Sequence, residues 1–150
     1  MTGPWRSNAF RAVFLVLRLA LGAMFVYAAW TKLREPWQIF AMSVDAYGAL
    51  PHWAVVWVAR TLPWGELAIG VLLIVGRFLR VAAAAGSLLL LSLFSIMLRA
   101  YSSGLQIDCG CFGPGDPISV HTLLRDGTLL AATAALTAMA VWKARTAQRA

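Results

Sequence analysis

Charge is scarce in this 150-residue chain: 13% of residues are charged and only six are acids, against roughly 25% charged in soluble domains. Hydrophobic residues reach 61%, well above the roughly 45–50% of soluble domains. The two together exclude an ordinary soluble domain and make the chain a membrane protein. Cysteine is scarcer still. Cys109 and Cys111 are the only two, so a relay between two dithiols within the chain is excluded, and no Cys-X-X-Cys occurs. Thirteen Lys and Arg give a formal charge of +7. They are scattered among apolar runs and form no basic face with stacking aromatics, which excludes nucleic acid as a partner. The length allows a single domain over 1–150, with no room for a soluble module beside the apolar spans.

What is present is four apolar runs, about 12–30, 54–76, 81–98 and 125–142. A hydrocarbon core of about 30 Å needs roughly 17 to 25 helical residues. The first run follows a basic start like a signal peptide, but it is longer than an h-region of roughly 7–15 residues and is read as a retained span. The expected fold class is therefore an all-α membrane protein, a bundle of four transmembrane helices. Between the first two runs, Trp37, Phe40, Val44 and Tyr47 fall at helical spacing opposite Gln38 and Asp45. That pattern predicts a short amphipathic helix in the outer interface, roofing the bundle. Small residues in "AAAAGS" and "AATAALTA" predict close helix packing.

Basic residues orient the bundle. Arg6, Arg11, Arg77, Arg80, Lys143, Arg145 and Arg149 share one side, and Lys32, Arg34, Arg99 and Arg125 the other. By the positive-inside rule both termini are cytoplasmic, in a multi-pass cell-membrane protein. The loop bearing the cysteines then faces outward, where disulfides form and persist.

Arg18, Arg60 and Glu66 fall inside spans, at a cost on the order of 2.5–3.5 kcal/mol each when central. Counting 1.5 Å per residue puts Arg18 about 9 Å and Glu66 about 15 Å above the inner ends of their spans. Their long side chains are therefore expected to pair. Arg60 is expected to snorkel outward, and Pro63 to bend the second span. The Arg18 and Glu66 pair fixes helix register in one reading. In the other, Glu66 carries protons or touches a quinone headgroup.

The segment "IDCGCFGPGDPIS" raises a different question. A pair of thiols one residue apart can bridge to each other, attack a partner's disulfide, or bind a metal. Two extended residues span about 7 Å, while a disulfide wants Cα atoms about 4.4–6.8 Å apart, so the bridge needs the bend that Gly110 permits. So small a ring is strained, and strained exposed bridges are labile and oxidising. A staple would normally enclose a longer loop. Asp108, Asp116 and His121 are the nearby candidate ligands, but the spacing matches no zinc or iron–sulfur signature, so no metal is expected. His121 is expected to open the last helix, with Ser119 as its N-cap.

"DCGCFG", "FVYAAWTKLREPWQIF" and "LPWGELAIGVLLIVG" together resemble the methylamine-utilisation MauE family, within the broader DoxX-like four-helix membrane proteins. The likeness covers nearly the whole chain, and Cys-Gly-Cys-Phe-Gly is its most specific part. The resemblance implies redox chemistry outside the cytoplasm, in MauE-type proteins linked to disulfide formation in a partner enzyme. It makes Cys109 and Cys111 the redox pair, Lys32 the basic residue after span one, and Glu66 the in-membrane carboxylate; Asp108 is a further candidate beside the thiols. The expected activity is thiol–disulfide exchange with an extracytoplasmic thioredoxin-like or client protein. The second electron carrier is a quinone, a partner protein or none. No covalently bound cofactor is expected. The rival reading is a non-enzymatic scaffold whose loop disulfide shapes a docking surface.

Overall fold

The computed structural model describes residues 8–112 and 115–148; Arg6, Gly113 and Arg149 of the sequence argument lie outside the described residues. Five helices follow in order: α1 (Asn8–Leu33), α2 (Trp37–Ala46), α3 (His52–Val75), α4 (Leu79–Ser102) and α5 (Val120–Gln148). The four long ones have 24 to 29 residues. At 1.5 Å per residue they measure about 36–44 Å, more than a hydrocarbon core of about 30 Å. All four are apolar enough to cross a membrane. They turn much apolar surface outward, with Val16, Trp57, Trp64, Val81 and Leu88 among the exposed side chains. In water that surface would be penalised; against lipid tails it is not.

Except at the end of α3, the helices outrun the apolar stretches that mark them. α1 continues past Trp30 to Leu33, and α5 begins at Val120 rather than near Arg125. Hydrophobicity marks the part in hydrocarbon, whereas a helix ends where its backbone groups find caps. Ser119 caps α5 as expected. Its Oγ accepts the Thr122 N–H at 3.3 Å, and Thr122 Oγ1 accepts the Ser119 N–H at 2.7 Å. His121 sits exposed in the first turn, and α3 runs unbroken through Pro63.

α1 packs antiparallel along α3, and α4 along α5. Gly22 and Gly70 set the first contact: a Cβ on Gly70 would lie 2.8 Å from the Gly22 carbonyl, and one on Gly22 would lie 3.0 Å from the Gly70 carbonyl. The core is Phe14, Leu21, Phe25, Leu73, Ala82, Ala83, Leu136 and Ala140. The small-residue stretches thus serve packing, as Gly86 does against the Phe25 ring. The predicted amphipathic segment is α2. It buries Phe40 and leaves Gln38 and Asp45 exposed. Arg60 stacks its guanidinium on Trp37, 4.4 Å from the ring centroid, which ties α3 to the start of α2.

Candidate functional site

The segment between α4 and α5 folds as an irregular hairpin. Asp108 bridges Pro117, the Cys109 N–H donates to the Asp116 carbonyl at 2.7 Å, and the Ile118 N–H donates to the Ile107 carbonyl at 3.0 Å. Asp108 itself accepts the Gly115 N–H at 3.1 Å. Gly110 takes φ 70°, and a Cβ there would sit 3.2 Å from Ser43 of α2. Glycine is therefore required for both conformation and space.

This hairpin is pressed inward under α2. Cys109 is buried and Cys111 half-buried, both as free thiols. The sequence suggests an exposed pair; burial of Cys109 is a correction. Hydrogen-bond donors from two other helices pull the loop down. Tyr47 Oη donates to the Cys109 carbonyl at 2.9 Å, and Lys32 Nζ donates to the Cys111 carbonyl at 2.7 Å.

Lys32 also corrects the expected Arg18 and Glu66 pair. Its ammonium bonds both Glu66 oxygens, at 2.9 and 3.0 Å, with both side chains buried. Arg18 instead reaches the other end of α3, donating to the Ile74 carbonyl at 3.4 Å and lying against Gly76. Counting Cα depth ignores the direction in which side chains lean. On a helix they tilt toward the N-terminus. Arg18 therefore leans away from Glu66, while Lys32 leans back one turn, bringing Nζ to 3.5 Å from the Ala28 carbonyl and to Glu66.

Below the sulfurs lies α5. Asp126 Oδ2 is 3.6 Å from Cys109 Sγ, and the two sulfurs and one Asp126 oxygen all lie within 4.8 Å of one another. Arg125 binds Asp126 Oδ1 at 2.9 Å and Asp116 at 2.7 Å. It stacks on Phe112 and places Nη2 3.9 Å from Cys109 Sγ. Asp116 and His121, expected as the nearest ligands, do not reach the thiols; the third donor is Asp126. These three groups could share one thiophilic ion, although two cations, Arg125 and Lys32, stand close by.

The two thiols are unequal. Interaction with the Cys111 side chain holds Cys109 below the usual thiol range. Arg125 adds to this, while burial and Asp126 oppose it. The same interaction, together with burial, pushes Cys111 up. Cys109 is therefore the sulfur that ionises first. Burial and the nearby sulfurs raise Tyr47, which remains a donor.

Asp126, Arg125, Tyr47 and Phe112 are site residues that motif reasoning missed. Asp126 had a signal. Thr122, Asp126, Thr133, Leu136 and Ala140 follow helical spacing and are all buried, so an acid stands on the inward stripe of an apolar helix.

Fold and site together define a four-helix membrane protein with a dithiol hairpin docked on a buried Lys–Glu pair. The chain belongs to the MauE family: the family model for "Methylamine utilisation protein MauE" matches residues 10–141. It is 35% identical to the methylamine utilization protein MauE of Paracoccus denitrificans over 127 residues, 83% of this chain and 68% of that one. With MauE of Methylophilus methylotrophus it shares 36% identity over 104 residues, 68% of this chain but only half of the relative. No solved structure matches the chain.

Proposed function

We propose that this protein is a membrane thiol–disulfide redox protein that oxidises a partner's dithiol outside the cytoplasm, in support of methylamine utilisation, the process its relatives are named for. The bundle sits in the cell membrane with both termini cytoplasmic, the hairpin outside and α2 along the outer interface. The observation that carries the reading is the setting of the thiols: two sulfurs and the Asp126 oxygen within 4.8 Å, with the Arg125 guanidinium beside Cys109.

In the oxidised form, a thiolate of a thioredoxin-like or client protein attacks Cys111, the less buried of the two residues. Cys109 leaves as the thiolate, because the thiol of lower pKa is the better leaving group. The partner's second thiolate then attacks its own sulfur in the mixed disulfide, and Cys111 departs and takes up a proton. The partner gains a disulfide and loses two electrons; the Cys109 and Cys111 pair gains them as a dithiol.

A scaffold reading needs the disulfide to shape the loop. With both thiols free, the loop is already held by Tyr47, Lys32 and the hairpin bonds to Asp116 and Ile107, which favours redox exchange. The experiment is capture. With the partner supplied in its disulfide form, the lone Cys111 of Cys109→Ser should attack it, one partner sulfur leaving as thiolate, and accumulate a mixed disulfide; Cys111→Ser should do so much less, and the double variant not at all. Failure of both single variants to capture any thiol partner would sink the reading.

A further inference from the structure

An apolar cavity of about 220 Å³ lies directly behind the cysteine hairpin, between α2, α3 and α4. Phe40, Val44, Leu62, Leu93 and Ile96 supply its walls, while Lys32, Tyr47 and the Cys109–Cys111 segment line it at the hairpin. For scale, an engineered cavity of roughly 150 Å³ lined by Leu, Ile and Phe takes up benzene. The space here therefore suits one substituted six-membered ring.

We propose that this cavity binds the head ring of a lipid-soluble quinone, which reoxidises the Cys109 and Cys111 dithiol. The inference rests on the redox reading above and adds its electron acceptor. Each turnover leaves two electrons on the thiols, and the chain has no third cysteine to receive them. Any acceptor must therefore come to this pair. The cavity that reaches the pair is walled by apolar side chains of membrane helices, which favours an acceptor dissolved in the bilayer over an aqueous one. The polar groups lie at the hairpin, so a ring held in the cavity turns its carbonyl end toward the Cys109–Cys111 segment.

The reaction balances. The Cys109 thiolate and Cys111 thiol form the S–S bond, giving up two electrons and the Cys111 proton. The quinone takes the two electrons, that proton and a second proton from the outer aqueous side, and leaves as hydroquinone. One dithiol consumes one quinone.

The test uses the reduced full-length protein in lipid nanodiscs, without oxygen, with decylubiquinone as the probe and glutathione disulfide as a second oxidant. Loss of one quinone per protein, with both thiols oxidised by mass, is the expected result. Leu93→Trp and Leu62→Trp, each filling the cavity from a different helix, should lower the rate with quinone at least tenfold relative to the same variant's rate with glutathione disulfide. Their melting temperatures report that they fold. Thiols that react with glutathione disulfide but not with quinone overturn the quinone site and leave the redox reading standing. Thiols inert to both overturn both. Quinone reduction that neither tryptophan slows places the reaction outside the cavity, and an acyl chain is then its occupant.

Discussion

At the residue scale the two cysteines differ because their neighbours differ. Cys109 is lowered by the Cys111 side chain and by Arg125, and Cys111 is raised by the same interaction and by burial. Replacing Cys111 with Ala should therefore move the appearance of Cys109 thiolate absorbance near 240 nm to higher pH. Stability follows the same logic. Between the lowered Cys109 value and the free-thiol value of about 8.5, the unfolded chain binds two protons and the folded one binds one, so stability rises with pH. Above about 8.5 the unfolded chain has lost both while Cys111 keeps its own, so stability falls. Melting of the reduced protein in detergent should peak near that pH, and melting of the oxidised protein should show no such peak. Reducibility is a second expectation at this scale. A small-ring bridge should equilibrate with glutathione at a potential above about −300 mV, whereas a structural staple lies below it.

Among elements, the decisive contact is α1 on α3, which carries both the Gly22 and Gly70 crossing and the Lys32 and Glu66 pair. Removing one partner of a buried ion pair costs about 3–5 kcal/mol, because the other charge stays buried alone. Glu66→Gln should lose stability on that scale, and adding Lys32→Met should recover a substantial part of it. Adding Arg18→Gln should recover none, since Arg18 binds the far end of α3. Detergent melts of the singles and both doubles decide between the pairs. At the crossing, Gly70→Ala places a Cβ 2.8 Å from a backbone carbonyl, and overpacking of this kind costs about 1–3 kcal/mol. Gly65→Ala on the same helix meets nothing within 4 Å and should be neutral or slightly stabilising.

For the whole molecule, the proposed orientation puts the hairpin outside. A membrane-impermeant thiol reagent on reduced intact cells should label Cys109 or Cys111. Labelling only after lysis would overturn the orientation. In the proposed reading the hairpin meets a water-soluble partner, and the apolar cavity behind it lies between α2, α3 and α4.

The architecture was legible because its cause is local. Runs of apolar residues long enough to cross hydrocarbon dictate four helices, Trp37, Phe40 and Val44 dictate α2, and Ser119 caps α5, each through the chain's own periodicity and short-range hydrogen bonds. The thiol pair was legible because there are only two cysteines. What required the tertiary structure was every pairing between helices. Lys32 read as a basic residue after the first span, yet the helix continues through it and its side chain leans back to Glu66. Asp126 fell at the start of the fourth apolar run with no role assigned, yet the fold sets it 3.6 Å from the Cys109 sulfur. Sequence fixes the spacing along one helix. Which charge meets which carboxylate depends on the depth at which Gly22 and Gly70 lock α1 against α3, and on the N-terminal tilt of each side chain across that contact.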